Sequence, residues 1–199
     1  IITLVHYYKL AMQKNNFINS ALKVIQIEGK AILGLQDQIE ETFNDLCSDI
    51  LATTGKLILM GIGKSGHIAQ KISATLSSTG TPSFFIHPTE AAHGDLGMID
   101  KKDAILILSN SGETKEIIEI LPALKRCAGS IFTLTNNTDS TIAKTGDINI
   151  LIKANEEACP LDLAPTSSTT LALVFGDALA VSLLEHRGFT KDDFAKSHP

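Results

Sequence analysis

Most of the apolar stretches in the second half of the chain run without alternation and end abruptly in small or polar residues. Five read as strands: KLILMGIG (56–63), PSFFIHP (82–88), AILILSN (104–110), SIFTLTN (130–136) and INILIK (148–153). A strand with one wet face alternates, whereas a run apolar at successive positions marks a strand covered on both faces. Between them lie helical patterns. HIAQKISATLSSTG (67–80) is closed by a glycine, and KEIIEILPALKRCA (115–128) carries Pro122, which predicts a kink. A last long helix is predicted from about Thr166 to His186, stopped by Gly188. Upstream, Ile18, Leu22, Ile25, Ile32, Leu35 and Ile39 keep roughly a helical period, so residues 17 to 53 read as helix in two pieces.

Buried strands alternating with helices predict an α/β fold, a doubly wound five-stranded parallel sheet with helices on both faces. Neither an internal repeat nor a low-complexity linker divides the chain, so residues 1–199 read as one domain with an N-terminal helical segment over about 1–53. That segment is expected to pack on the core or on a partner subunit. In such a sheet, ligands bind outside the carboxyl ends of the strands. GIGKSG (61–66) and SNSGET (109–114) both stand at strand carboxyl ends and open helices, so they are expected to face one crevice.

Composition narrows the function classes. With 44% hydrophobic and 20% charged residues, the balance is that of a globular protein. A net charge of -5 without a dense Lys/Arg stripe argues against nucleic acid as partner. No apolar run approaches the roughly 18 residues of a membrane helix. Cys47, Cys127 and Cys159 are odd in number and far apart, and no signal peptide is seen. Reduced thiols in a cytoplasm are therefore expected. No HExxH or Cys/His cluster suggests a metal.

The two loops carry the chemistry. GIGKSG matches the GxGxxG dinucleotide pattern, but the acidic residue expected after the next strand is poorly supplied, since that strand ends in His87-Pro88 with Glu90 beyond. A P-loop would need glycine where Ile58 stands. The plain reading is a tight strand-to-helix turn; the functional one is a backbone cradle for an anion, with Lys64 reaching in and Ser65 assisting. SNSGET offers three hydroxyls, Ser109, Ser111 and Thr114, beside Gly112 and a helix N-terminus. One hydroxyl suffices for a cap, whereas three at a positive dipole end are phosphate-binding chemistry. Thr166, Ser167, Ser168, Thr169 and Thr170 open the last helix; capping explains one, and the rest line the same crevice or face solvent.

A phosphate site alone does not make an enzyme; proton-transfer groups must lie nearby. Glu116 lies in the first turn after the phosphate loop, as a base or as a surface residue that complements the helix dipole. Glu156 and Glu157 follow the fifth strand. His93 lies in AAHGDLG, and His198 in the terminal KSHP. Single histidines are more often structural than catalytic, and His6, His67 and His186 fall in ordinary helical stretches.

The ordered set GIGKSG, HPTEAAHGDLGMI, SNSGET, EACPLDLAPTSSTT, GDALAVSLL and FAKSHP resembles the sugar isomerase (SIS) domain, and within it the arabinose 5-phosphate isomerases. SNSGET alone marks only the superfamily; HGDLGM with EACPLDLAPTSSTT and SHP is more specific. The resemblance covers about residues 25 to 199. It implies a flavodoxin-like SIS fold and cofactor-independent interconversion of D-ribulose 5-phosphate and D-arabinose 5-phosphate. It further implies a role in making the eight-carbon sugar Kdo for lipopolysaccharide, and a homotetramer with active sites shared between subunits. Lys64, Glu116, Glu157 and His198 fall on the family's functional motifs. His93 matches the HGD histidine, related to an HGP histidine that opens the sugar ring in the isomerase domain of glucosamine-6-phosphate synthase. The family motif continues past SHP with glycines and usually two CBS domains, which this chain does not include.

Moving a carbonyl between C1 and C2 needs a base for one proton, an acid for the oxygens and stabilisation of a cis-enediolate. Ser109, Ser111, Thr114 and nearby N–H groups, with Ser65, are assigned to the phosphate. Glu157 is the first candidate base and Glu116 the second. Lys64 stabilises the enediolate or contacts the phosphate, and His93 and His198 are candidates for opening the furanose. Three rivals are a sugar-phosphate sensor, which lacks its helix-turn-helix here, another SIS isomerase acting on a heptose or hexulose phosphate, and a nicotinamide oxidoreductase.

Overall fold

A computed structural model describes residues 2–197. A helix α1 (Ile2–Leu35) leads through a short turn at 36–38 into α2 (Glu41–Ala52). There follow β1 (Leu57–Gly61), α3 (Gly63–Ser78), β2 (Ser83–Phe85), α4 (Pro88–Ala92), β3 (Ala104–Leu108) and α5 (Lys115–Cys127). The chain continues through β4 (Ser130–Thr135), α6 (Thr141–Thr145), β5 (Ile148–Leu151), α7 (Ser167–His186) and α8 (Lys191–Ser197). All five strands pair in parallel in the order β2-β1-β3-β4-β5.

The unbroken apolar runs have the expected cause, since every residue of β1 and of β3 is buried. Successive side chains point to opposite faces, so each strand feeds two cores. Leu57, Leu59, Leu106, Leu108, Phe132 and Leu134 pack under α1, α2, α3 and α7, whereas Ile58, Met60, Ile105, Ile107 and Ile131 pack under α4, α5 and α6. Phe43 of α2 meets Phe175 of α7 edge-on, with ring centroids 5.7 Å apart. Gly176 lets α7 lie against α3, because a Cβ there would collide with the Ile72 side chain. Lys71 of α3 and Asp177 of α7 form an ion pair at the same crossing.

Several boundaries differ from the sequence expectation. α3 starts at Gly63, not near His67, so Lys64 and Ser65 belong to its first turn. α5 continues through Pro122, whose side lies exposed. α7 is, among the described residues, a helix long and apolar enough to cross a membrane by length and composition, where the sequence reading has no such run. Leu171, Phe175, Leu179 and Leu183 are nevertheless buried in the first core, and the Lys71 pair fixes its outer face, so it packs as a core helix. The short helices α4, α6 and α8 have no counterpart in the sequence expectation.

At the amino edge of the sheet, the buried Asp103 carboxylate accepts from Lys56 N–H (2.8 Å) and Asp100 N–H (2.8 Å), which joins the approaches to β1 and β3. Gln38 clamps the other side of the fold. Its carboxamide oxygen accepts from Lys153 N–H (2.7 Å) and its nitrogen donates to the Lys153 carbonyl (3.2 Å), pinning the chain as it leaves β5. Beyond that clamp runs the irregular segment 154–166.

Candidate active site

Order reversal in the sheet occurs between β2-β1 and β3-β4-β5, which places the carboxyl ends of β1 and β3 side by side at a topological switch point. An open cleft of about 640 Å³ lies there, within the usual range of roughly 300–1,000 Å³ for small-molecule sites. Its walls come from the β1–α3 turn, the β3–α5 turn, the end of β4 and the segment from the end of β5 to the start of α7.

The β3–α5 turn is built to hold its hydroxyls in place. Gly112 has φ +69°, and a Cβ there would strike the Ser140 hydroxyl. Gly112 N–H donates to the Ser109 carbonyl (3.1 Å), and Ile142 N–H donates to the Gly112 carbonyl (3.0 Å), which ties the turn to α6. Ser109 is buried, and its hydroxyl shares a 2.8 Å hydrogen bond with that of Thr114. Ser111 Oγ accepts from Glu113 N–H (3.2 Å), and the Glu113 carboxylate accepts from Thr141 N–H (2.7 Å). Glu113 thus belongs to the scaffold. No side chain caps α5 at Thr114, and none caps α3 at Ile62. Both N-termini open toward the cleft with free backbone donors and positive dipole ends.

The third helix at the cleft, α7, is treated differently. Glu157 Oε2 accepts from Thr166 N–H (2.7 Å), Thr166 Oγ1–H (2.9 Å) and Ser168 N–H (3.3 Å). Burial acts to raise the Glu157 pKa, but the donors from Ser168 and Thr166 outweigh it, and the carboxyl sits below its ordinary 4.5. Next along the segment, Cys159 is held low by the N–H groups of Ala164, Leu163 and Leu161. Burial pushes the Cys47 thiol up to about 11, and all three cysteines are free.

Of the residues singled out from sequence, Lys64, Ser65, Ser109, Ser111, Thr114 and Glu157 line this one cleft, together with Glu156. Ser168 and Thr169 from the hydroxyl-rich start of α7 line it too. Glu116 and His93 do not: both are solvent-exposed, on the first turn of α5 and just after α4. His198 lies outside the described residues. Asn110 within SNSGET, Asn136 just beyond β4 and Asn155 in the segment after β5 also line the cleft, and none of the three was given a role from sequence. Thr166 stood out only as one hydroxyl among five. A smaller cavity of about 240 Å³ on the other side of the α3 turn is lined by His67, Gln70, Phe85 and His87. There His87 Nδ1 accepts from Thr89 N–H (3.3 Å) as the cap of α4.

Comparison with known proteins identifies the family. The SIS domain family matches residues 50–182. The chain is 52% identical over 187 residues to arabinose 5-phosphate isomerase KdsD of Pseudomonas aeruginosa, covering 94% of this chain and 57% of that protein. It is 52% identical over 184 residues to KdsD of Yersinia pestis, covering 92% and 56%. The chain therefore spans a little over half the length of these curated relatives. Among solved structures, Escherichia coli CFT073 c3406 in complex with arabinose 5-phosphate superposes with a TM-score of 0.90 at 42% identity, covering 93% of this chain and 98% of that one.

Proposed function

Because the chain belongs to the SIS domain family, we propose that it is an aldose–ketose isomerase interconverting D-ribulose 5-phosphate and D-arabinose 5-phosphate. The observation that carries this reading is the meeting, in one cleft, of two uncapped helix N-termini with Lys64 and Glu157. The c3406 relative, 42% identical and in complex with arabinose 5-phosphate, supports the choice of sugar phosphate.

In this reading the phosphate lies against the β3–α5 turn, where Ser109, Ser111 and Thr114 and the α5 N–H groups receive it, with Ser65 from α3. Binding the remote phosphate orients C1 and C2, which gives rate through positioning. The Glu157 carboxylate takes the proton from the carbon beside the carbonyl. The C–H electron pair becomes the C=C bond of a cis-enediolate, and the carbonyl pair moves onto oxygen. Lys64 stabilises that oxygen. Return of the proton to the neighbouring carbon, with proton exchange between the two oxygens, completes the isomerisation without net redox change. No step calls for a cofactor or metal.

Glu116 and His93, exposed outside their own cleft, act in this reading as contributions to a neighbouring subunit's site, with His93 and His198 the candidates for opening the furanose. Exposed Ile18, Leu22, Ile25 and Leu33 on α1 support assembly with another chain, since such a stripe favours burial, and in this reading the assembly is a homotetramer. The reading further places the protein in a cytoplasm, supplying arabinose 5-phosphate for Kdo and lipopolysaccharide. The test is incubation with ribulose 5-phosphate in heavy water, followed by NMR. Arabinose 5-phosphate carrying solvent deuterium at C2 is expected. A different product sugar would reassign the substrate, and an unlabelled, unconverted ketose would leave a binding protein.

A further inference from the structure

Three hydrogen bonds reach Glu157 and converge on one oxygen, Oε2. The buried Ser168 hydroxyl beside the carboxylate helps hold its pKa low but makes no hydrogen bond, so among the described residues Oε1 accepts none. Thr166 supplies two of the three. Its hydroxyl also has a fixed direction: Oγ1 accepts from Ala158 N–H at 2.7 Å, so its single proton is left for Glu157. The backbone next to the base thus orients the hydroxyl that orients the base. We propose that Thr166 is a positioning residue, clamping Oε2 so that Oε1 is presented as the proton acceptor to the substrate carbon. This rests on the reading of Glu157 as the base.

A carboxylate on two methylenes samples several rotamers, and a proton-transfer step needs one of them. Charge-assisted bonds to a single oxygen remove that freedom while leaving the other oxygen's lone pairs unused. The same bonds favour the ionised form. The titratable groups around Glu157 are Lys64 across the cleft, Glu156, Cys159 and Asp162 on its own segment, and Glu28 of α1, whose carboxylate accepts from the Thr170 hydroxyl (2.8 Å) in the first turn of α7; the start of α7 itself contributes none. Glu157 makes no ion pair among the described residues, so its ionisation is set by the hydrogen bonds.

The test compares Thr166→Val, Thr166→Ser and Glu157→Gln, alone and combined, in ribulose 5-phosphate turnover across pH. Glu157→Gln is expected to lose about 10²-fold or more in kcat. Thr166→Val should lower kcat about tenfold with little change in KM and move the acid limb of the kcat profile upward, because the ionised base loses a donor. Thr166→Ser should restore both. On the Glu157→Gln background, Thr166→Val should cost no further activity. If Glu157→Gln turns over like the parent, the base assignment itself fails. If Glu157→Gln is inactive but Thr166→Val keeps the parental kcat and acid limb, or lowers Glu157→Gln activity by the same factor as it lowers the parent's, Thr166 is merely structural. Should Thr166→Val not fold, Thr166→Ala takes its place in each comparison.

Discussion

At the residue scale, the same three bonds that hold Glu157 also link folding to pH. The carboxyl is lowered below 4.5 in the folded chain, so its contribution to stability is complete above that value. It is lost as pH falls through 4.5 toward the lower folded value, where the proton displaces the donors. Urea titrations at a series of pH values should therefore show the parent more stable than Glu157→Gln near neutrality, with the difference shrinking below 4.5. A constant difference across that window would mean that the contacts, and not the charge, hold the start of α7. This bond set was not legible beforehand. Glu157 and Thr166 are nine positions apart across an irregular segment that contains Pro160, Pro165 and a positive-φ Asp162, and no periodicity predicts how such a segment closes. The hydroxyl-rich stretches were legible, because three hydroxyls at one helix start exceed what a cap needs.

At the element scale, the central strands β1 and β3 were readable from their apolar runs alone, since parallel strands buried on both faces leave no alternation to mislead, whereas the edge strands β2 and β5 are only partly buried. The short helices were not. α6 spans five residues, too few for a helical period, and exists because Ser140 caps it by accepting from Ala143 N–H (3.3 Å) and Glu113 reaches over from the β3–α5 turn. The turn and α6 are consequently one device. Gly112→Ala would push Ser140 aside and force alanine to φ +69°. A loss of about 1–3 kcal/mol in urea unfolding is expected from the strained backbone, together with a raised KM, because the displaced turn carries Ser109, Ser111 and Thr114. An unchanged KM beside lowered stability would separate the turn from substrate binding.

At the scale of the whole molecule, the cleft gathers six of the nine residues given a catalytic or phosphate-binding role from sequence, and two others, Glu116 and His93, are solvent-exposed and do not line it. If neighbouring subunits supply those two, inactive variants should complement one another. Lys64→Ala and Glu116→Gln proteins, each inactive alone, should regain a fraction of parental activity when unfolded together and reassembled, and the same mixture kept folded should not. Failure of the mixture to recover, with both variants assembling normally, would mean that Glu116 and Lys64 act from the same subunit, and a Glu116→Gln protein with parental turnover would place Glu116 outside the reaction.

The unequal treatment of the three helix starts has one more consequence. α3 and α5 present bare donors to the cleft, while α7 has its own filled by Glu157. A molecule with a dianion at one end and neutral hydroxyls at the other therefore meets a wall that accepts the charge and a wall already occupied by one. Entering tail-first is opposed by like-charge repulsion as well as by the absence of donors. The fold thus gives the cleft a direction, and for the proposed sugar phosphate it selects which end lies beside Glu157.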